Sequence, residues 1–100
     1  MTETKKEIDN NIVFIGSKPF MNYVTSVVMQ FAEKNNKEVI VKARGKFISK
    51  AVDAIEVARK RFLKEHNITT KDIKIGSEEF ENEDGRKINI SSIEITLAKG

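Results

Sequence analysis

The chain contains no cysteine, so neither a disulfide framework nor a thiolate metal site is available to it. Lack of disulfides suits a reducing compartment. Proline occurs once and glycine five times in 100 residues, too sparsely for a linker, a collagen-like repeat or a low-complexity tract. No apolar run approaches the roughly 18 residues of a membrane span. The first ten residues, MTETKKEIDN, lack the hydrophobic region of a signal peptide. A soluble, cytoplasmic protein is expected. What remains is ordinary globular material: 39% hydrophobic residues, too many for a disordered chain and enough for one modest core.

Net charge is only +3, but its distribution is uneven. From Lys42 to Lys64 eight cations (Lys42, Arg44, Lys46, Lys50, Arg59, Lys60, Arg61, Lys64) face two anions (Asp53, Glu56), a local excess of six. From Glu78 to Asp84 there are five carboxylates (Glu78, Glu79, Glu81, Glu83, Asp84) and no cation. A positive face and a negative protrusion are expected.

Residues 1–10 are polar without periodicity and read as a short flexible tail. Asn11–Ile15, NIVFI, is a compact apolar run suited to a buried strand. GSKP follows, with proline suited to a first helical position, where its missing N–H is not needed. Phe20, Met21, Val24, Val27, Val28, Phe31 and Ala32 then recur at helical spacing. Val39–Ala43, VIVKA, is a second strand that Gly45 ends. Ile48, Ala51, Val52, Ile55, Ala58 and Phe62 mark the stripe of a second helix, whose basic last turn suits the negative end of the helix dipole. In the last third, Ile73 and Ile75 alternate, as do Ile88 and Ile90, then Ile93, Ile95 and Leu97. Asp84–Gly85 between the halves signals a hairpin. The step of three from Ile90 to Ile93 flips the apolar face unless a bulge lies near Ser91–Ser92. The order β1-α1-β2-α2-β3-β4 predicts one α+β domain over residues 11–100, with two helices on one face of a four-stranded sheet.

Catalytic residues are hard to assemble. The one histidine, His66, sits beside Glu65 at the end of the second helix with no positioned partner in sequence. Ser91 and Ser92 have no base nearby. The carboxylates at 78–84 lack the glycine turn and terminal glutamate of a calcium loop, and Gly45 alone makes no P-loop. No enzyme, metal or cofactor is expected.

The basic cluster has more to say. A helix N-terminus already carries partial positive charge, so cations gathered at a strand-to-helix joint make sense where an anion is held. In an extended strand Lys42, Arg44 and Lys46 share one side. If the first two strands are parallel neighbours, both strand-to-helix corners lie at one end of the sheet. Lys18, Arg44, Lys46 and Lys50 then form one patch. Only Phe47 interrupts it, so stacking on bases has little support there and backbone phosphates, preferably of a duplex, are the natural target.

Three stretches, IGSKPFMNYV (Ile15–Val24), VKARGKFISKAVDAIEVARKRF (Val41–Phe62) and IGSEEF…DGRKINISSIEITLAK, together resemble the Alba family of archaeal chromatin proteins. The similarity runs in order, with compatible spacing, from Asn11 nearly to the C-terminus. It implies a four-stranded mixed sheet with an extended β3-β4 hairpin, similar to the C-terminal domain of translation initiation factor 3, and a two-fold homodimer. It implies binding to double-stranded DNA largely without sequence preference, and to RNA, at the nucleoid. By the resemblance, Lys18, Lys42, Arg44 and Lys46 contact backbone phosphates, and Arg86, with Lys87 beside it, lies on an arm that enters the minor groove. Phe62 matches an aromatic at contacts between neighbouring dimers. An alternative role in the same family is a structural RNA-binding subunit of a ribonuclease P-type particle. Two positions depart from the family pattern. Ser17 stands where many relatives have a lysine that is reversibly acetylated, and the hairpin is acidic, which opposes approach to phosphates.

Overall fold

Strand β2, Glu38–Arg44, sends Val39, Val41 and Ala43 to a buried side and leaves Ile40, Lys42 and Arg44 on the other. That alternation orients everything around it, because the buried side must be covered. In a computed structural model describing residues 11–100, two helices provide the cover. The tail expected over residues 1–10 lies outside the described residues. Strand β1 is Ile12–Phe14 and pairs parallel to β2, with Val13 opposite Val41 and Phe14 opposite Lys42. Helix α1, Phe20–Ala32, makes the crossover that parallel pairing requires. Strands β3, Ile68–Glu81, and β4, Lys87–Lys99, form an antiparallel hairpin. The sheet order is β1-β2-β4-β3, so β4 sits centrally and β3 is an edge.

Helix α1 starts one residue later than proline position alone predicts. Pro19 is its cap, at ψ 145°, extended enough to turn the chain in. Tyr23, Val24, Val27 and Phe31 point to the core, whereas Met21 is exposed. Helix α2, Ile48–Val57, buries Ala51, Ala54 and Ile55. Small residues here let the helix lie close to α1 and the sheet. A π turn over Ala58–Phe62 follows, closed by Leu63 N–H donating to the Ala58 carbonyl at 2.9 Å. The wider turn advances the register by one residue. Leu63 therefore enters the core and Phe62 turns outward, 52% exposed, instead of continuing the core stripe. Val52, also placed on that stripe by spacing, is exposed as well.

The hairpin holds the largest difference from sequence expectation. Around Ser91–Ser92 pairing is regular: Ser91 stands opposite Ser77 and Ser92 opposite Gly76. The faces change instead. Residues opposite one another share a face, so Ile93 and Ile95 stay on the helix side with Ala43 and Val41, while Ile88 and Ile90 fall on the open side. The irregularity is on the partner strand, between Thr70 and Asp72. There Lys71 is the extra residue, and it brings Ile73 and Ile75 onto the helix side. No bulge is needed near Ser91, because the outer hairpin has left the helices' cover and has no single apolar face to preserve. At the tip, Gly85 adopts φ 80°, and Asn82 Oδ1 accepts from the N–H groups of Asp84 (3.1 Å) and Arg86 (2.9 Å). This Asx-type turn fixes the DG hairpin read from sequence.

Candidate nucleic-acid interface

Because β1 and β2 run parallel, both lead into helices at the same end of the sheet. Lys18 lies in the β1–α1 loop, and Arg44, Gly45 and Lys46 lie at the β2–α2 joint. Gly45 takes φ 55°, a left-handed turn that ends the strand and starts a 3₁₀ turn, Gly45–Phe47. A side chain at 45 would be strained by that backbone, and its Cβ would come within 3.3 Å of Ile90. Lys42 and Arg44 therefore share the open face, while Lys46 is carried round the corner rather than continuing their side.

The two corners are tied together. Lys50, in the first turn of α2, donates from Nζ to the carbonyls of Gly16 (2.7 Å) and Lys18 (2.6 Å). Its ammonium also lies over the rings of Tyr23 (5.0 Å) and Phe47 (5.7 Å). Two of its three donors are thus engaged inside the fold, which makes Lys50 the clamp that positions the patch. Tyr23 reinforces it: the phenol oxygen accepts from Lys18 N–H at 3.0 Å. A Cβ on Gly16 would reach that oxygen at 3.3 Å, so glycine there permits the close approach.

The remaining cations differ in how free they are. Lys18 and Lys46 are exposed, with no carboxylate in ion-pair reach among the described residues. Lys42 faces Glu94 at 3.6 Å and lies 5.7 Å from the Phe14 ring. Arg44 donates to Glu78 Oε1 at 3.1 Å, and its guanidinium sits 5.4 Å from the Phe80 ring. Of the five hairpin carboxylates, Glu78 is the one that reaches the patch. Glu79 and Glu81 point to the opposite face, with Asn89 and Lys87 across from them. Arg86 and Lys87 are exposed at the far end of the hairpin. Arg86, immediately before β4, lies six residues from Ser92, Arg44's cross-strand partner, about 20 Å away at ordinary strand rise. A ligand touching both ends must carry acceptors over that span.

His66 lies in a short 3₁₀ turn, Lys64–His66, after the π turn, and Ser91 and Ser92 stand opposite Ser77 and Gly76 in the hairpin. These residues are not brought together. Sequence reasoning missed Phe14 and Phe80. They lie in β1 and β3, far apart in the chain, and only strand pairing puts them on the face of Lys42 and Arg44.

The family model described as Alba matches residues 11–77. The chain is 52% identical over 90 residues to the DNA/RNA-binding protein Alba of Methanococcus maripaludis, covering 90% of this chain and 99% of that relative. It is 52% identical over 91 residues to the protein of the same name from Methanocella arvoryzae, covering 91% and 92% respectively. The solved structure of Alba from Thermoplasma volcanium matches with a TM-score of 0.81 at 47% identity, over 89% of this chain and all of that one. Fold, order of motifs and extent of identity agree, and the chain belongs to the Alba family.

Proposed function

We propose that the protein is a two-fold homodimer that binds nucleic acid through backbone phosphates, coating double-stranded DNA and also engaging RNA without reading base sequence. The observation that carries this reading is the tied pair of corners, where Lys18, Arg44 and Lys46 stand exposed around a backbone fixed by Lys50. Fixed cations of this kind suit repeated phosphate charges, one per about 1.7 Å of duplex axis. The relatives named DNA/RNA-binding proteins support the same class of ligand. The hairpin tip, with Arg86 and Lys87, extends the interface beyond the body as an arm. No catalytic step is part of this reading, and its place is the cytoplasmic nucleoid.

Dimerisation draws its support from the helix side of edge strand β3, beside the body. Ile73 and Ile75 are 55% and 81% exposed, on a face where α1 and α2 no longer reach. Paired isoleucines on an edge strand invite a second copy. Phe62, turned outward by the π turn, is free to meet neighbouring dimers.

One observation favours a second reading. Arg44 already has a carboxylate partner in Glu78, which lowers its availability to plain DNA. A structural subunit of an RNA–protein particle fits that weaker affinity.

The test is anisotropy titration against duplex DNA and duplex RNA of equal length across a salt series. Phosphate coating predicts a steep salt dependence. Arg44→Ala should flatten it by about one unit of slope for each phosphate that the guanidinium neutralises, equally for all sequences. A weakening confined to one sequence would mean base readout and defeat the proposal. Weak DNA binding with clear RNA preference would favour the particle.

A further inference from the structure

Among the described residues the helices cover one face of the sheet, and no helix covers the other. Across it, Phe14, Lys42, Glu94 and Lys74 stand in one row, one from each strand. The next row is Arg44, Ser92 and Gly76, and farther out come Ile90 with Glu78 and Ile88 with Phe80. A groove follows these rows, lined among others by Phe14, Lys42, Arg44, Lys74, Phe80 and Ile90. From this face, and resting on the phosphate-binding reading above, we infer a second binding mode: the groove takes an unpaired stretch of nucleic acid, with Phe14 and Phe80 as stacking platforms for its bases.

Three features select that occupant. Phe14 is 68% exposed on the open face of the sheet, where phosphate binding alone has no use for an aromatic ring. Bases within a duplex are already stacked on each other, whereas an unpaired base offers a free π-face. Second, each ring has a cation over one of its faces, Lys42 at 5.7 Å from the centre of Phe14 and Arg44 at 5.4 Å from that of Phe80, so a base stacks on the other face or displaces the cation toward its own phosphate. A base laid on either ring brings its own phosphate toward that cation. Third, the floor between the platforms is low. Gly76 has no side chain, and a Cβ there would already touch Ser92 Oγ at 3.5 Å. A chain spanning the platforms thus lies close to the sheet.

Charge decides against an apolar protein partner. Lys42, Arg44, Lys46 and Lys74 along the groove outnumber Glu78 and Glu94, and burying those cations under an apolar surface is costly. A polyanion with flat apolar bases matches both the cations and the rings. A four-stranded sheet presenting aromatics between cations is a known physical solution for holding two or three unpaired bases.

The test uses the full chain and two probes of one sequence, a single-stranded RNA and its duplex, each carrying a fluorescent base analogue. Phe14→Ala and Phe80→Ala should each weaken single-strand affinity about tenfold and reduce quenching of the analogue, and the double variant should abolish it. Duplex affinity should stay within about twofold, since phosphates remain held at the corners. Phe14→Leu and Phe80→Leu, which keep apolar bulk on exposed sites, should behave like the alanine variants. Retained affinity in the leucine variants would mean simple apolar packing and overturn stacking. Equal weakening for both probes, or no change for either, would also overturn the inference. Failure of the unsubstituted protein to bind either probe would instead remove the phosphate-binding reading on which it rests.

Discussion

The root and the tip of the β3–β4 hairpin belong to one pair of strands yet are held by different physics. At the root, Ile68, Ile95 and Leu97 lie buried beneath the helices, so side-chain packing sets the conformation. From Thr69 outward to Glu81 every residue of β3 is exposed, and the arm is held by backbone pairing, the Asn82 turn and the surface pair of Glu78 with Arg44. Substitutions of buried body residues should therefore act on stability, and substitutions in the arm on what the protein touches.

The sharpest contrast is expected between Phe31 and Asn89. Phe31 is fully buried where α1 meets the sheet, and Phe31→Ala should cost about 3–5 kcal/mol through reduced burial and an unfilled cavity. Asn89→Ala, on the exposed outer arm opposite Glu79, should change stability by less than about 0.5 kcal/mol. Urea denaturation measures both. Comparable destabilisation at the two sites would mean that the arm is packed, and the division between body and arm would fail.

Binding should show the reverse order. Glu78 crosses from the arm to the body and holds Arg44 at 3.1 Å, at a site where both side chains are about half exposed. Such pairs contribute about 0.2–1 kcal/mol, and that contribution competes directly with a phosphate for the same guanidinium. Glu78→Gln should therefore tighten duplex binding by up to about fivefold at low salt, and the gain should shrink as salt screens the pair. Glu81→Gln, on the opposite face, should do much less. Unchanged affinity in both variants would show that the arm's acidity does not restrain the patch.

The same boundary separates what the chain's pattern revealed from what it did not. Order and type of all six elements followed from apolar spacing, because the body must bury Val24, Val27, Val39 and Val41 on defined periods. The basic corner was legible too, since Lys18, Arg44 and Lys46 flank two strand-to-helix joints and parallel pairing brings such joints together. Three things were not. The π turn moved Leu63 inward and Phe62 outward, a one-residue shift that periodicity of 3.6 does not encode. Arg44's pairing with Glu78 and the shared face of Phe14 and Phe80 depend on register across strands. Lys50 read as one more surface cation, yet two carbonyls from a loop some thirty residues away in sequence hold its ammonium. Local spacing carries none of this long-range information.

The smallest effect concerns the seam where body becomes arm. Arg59 donates from Nε to the carbonyl of Ile68, the first residue of β3, at 3.0 Å, and from Nη1 to Glu56 at 2.7 Å. Lys60 approaches the same carboxylate at 3.5 Å. The Arg59 hydrogen bond, with Arg59's charge and Lys60 adding to it against a slight burial penalty, holds the Glu56 carboxyl below its ordinary value near 4.5. A carboxylate whose folded pKa is depressed contributes stability above its unfolded pKa and loses it as pH falls through the folded one. The side chain is only partly buried, 39% exposed, and solvent screening limits the contribution to about a few tenths of a kcal/mol. Thermal midpoints of the native chain and of Glu56→Gln should therefore differ slightly at neutral pH and converge as the pH falls below the ordinary carboxylate value of 4.5 and through the lowered folded one. A gap that stays constant down the pH series would mean that Glu56 acts through packing rather than charge, and that the seam, like the core beneath it, belongs to the body.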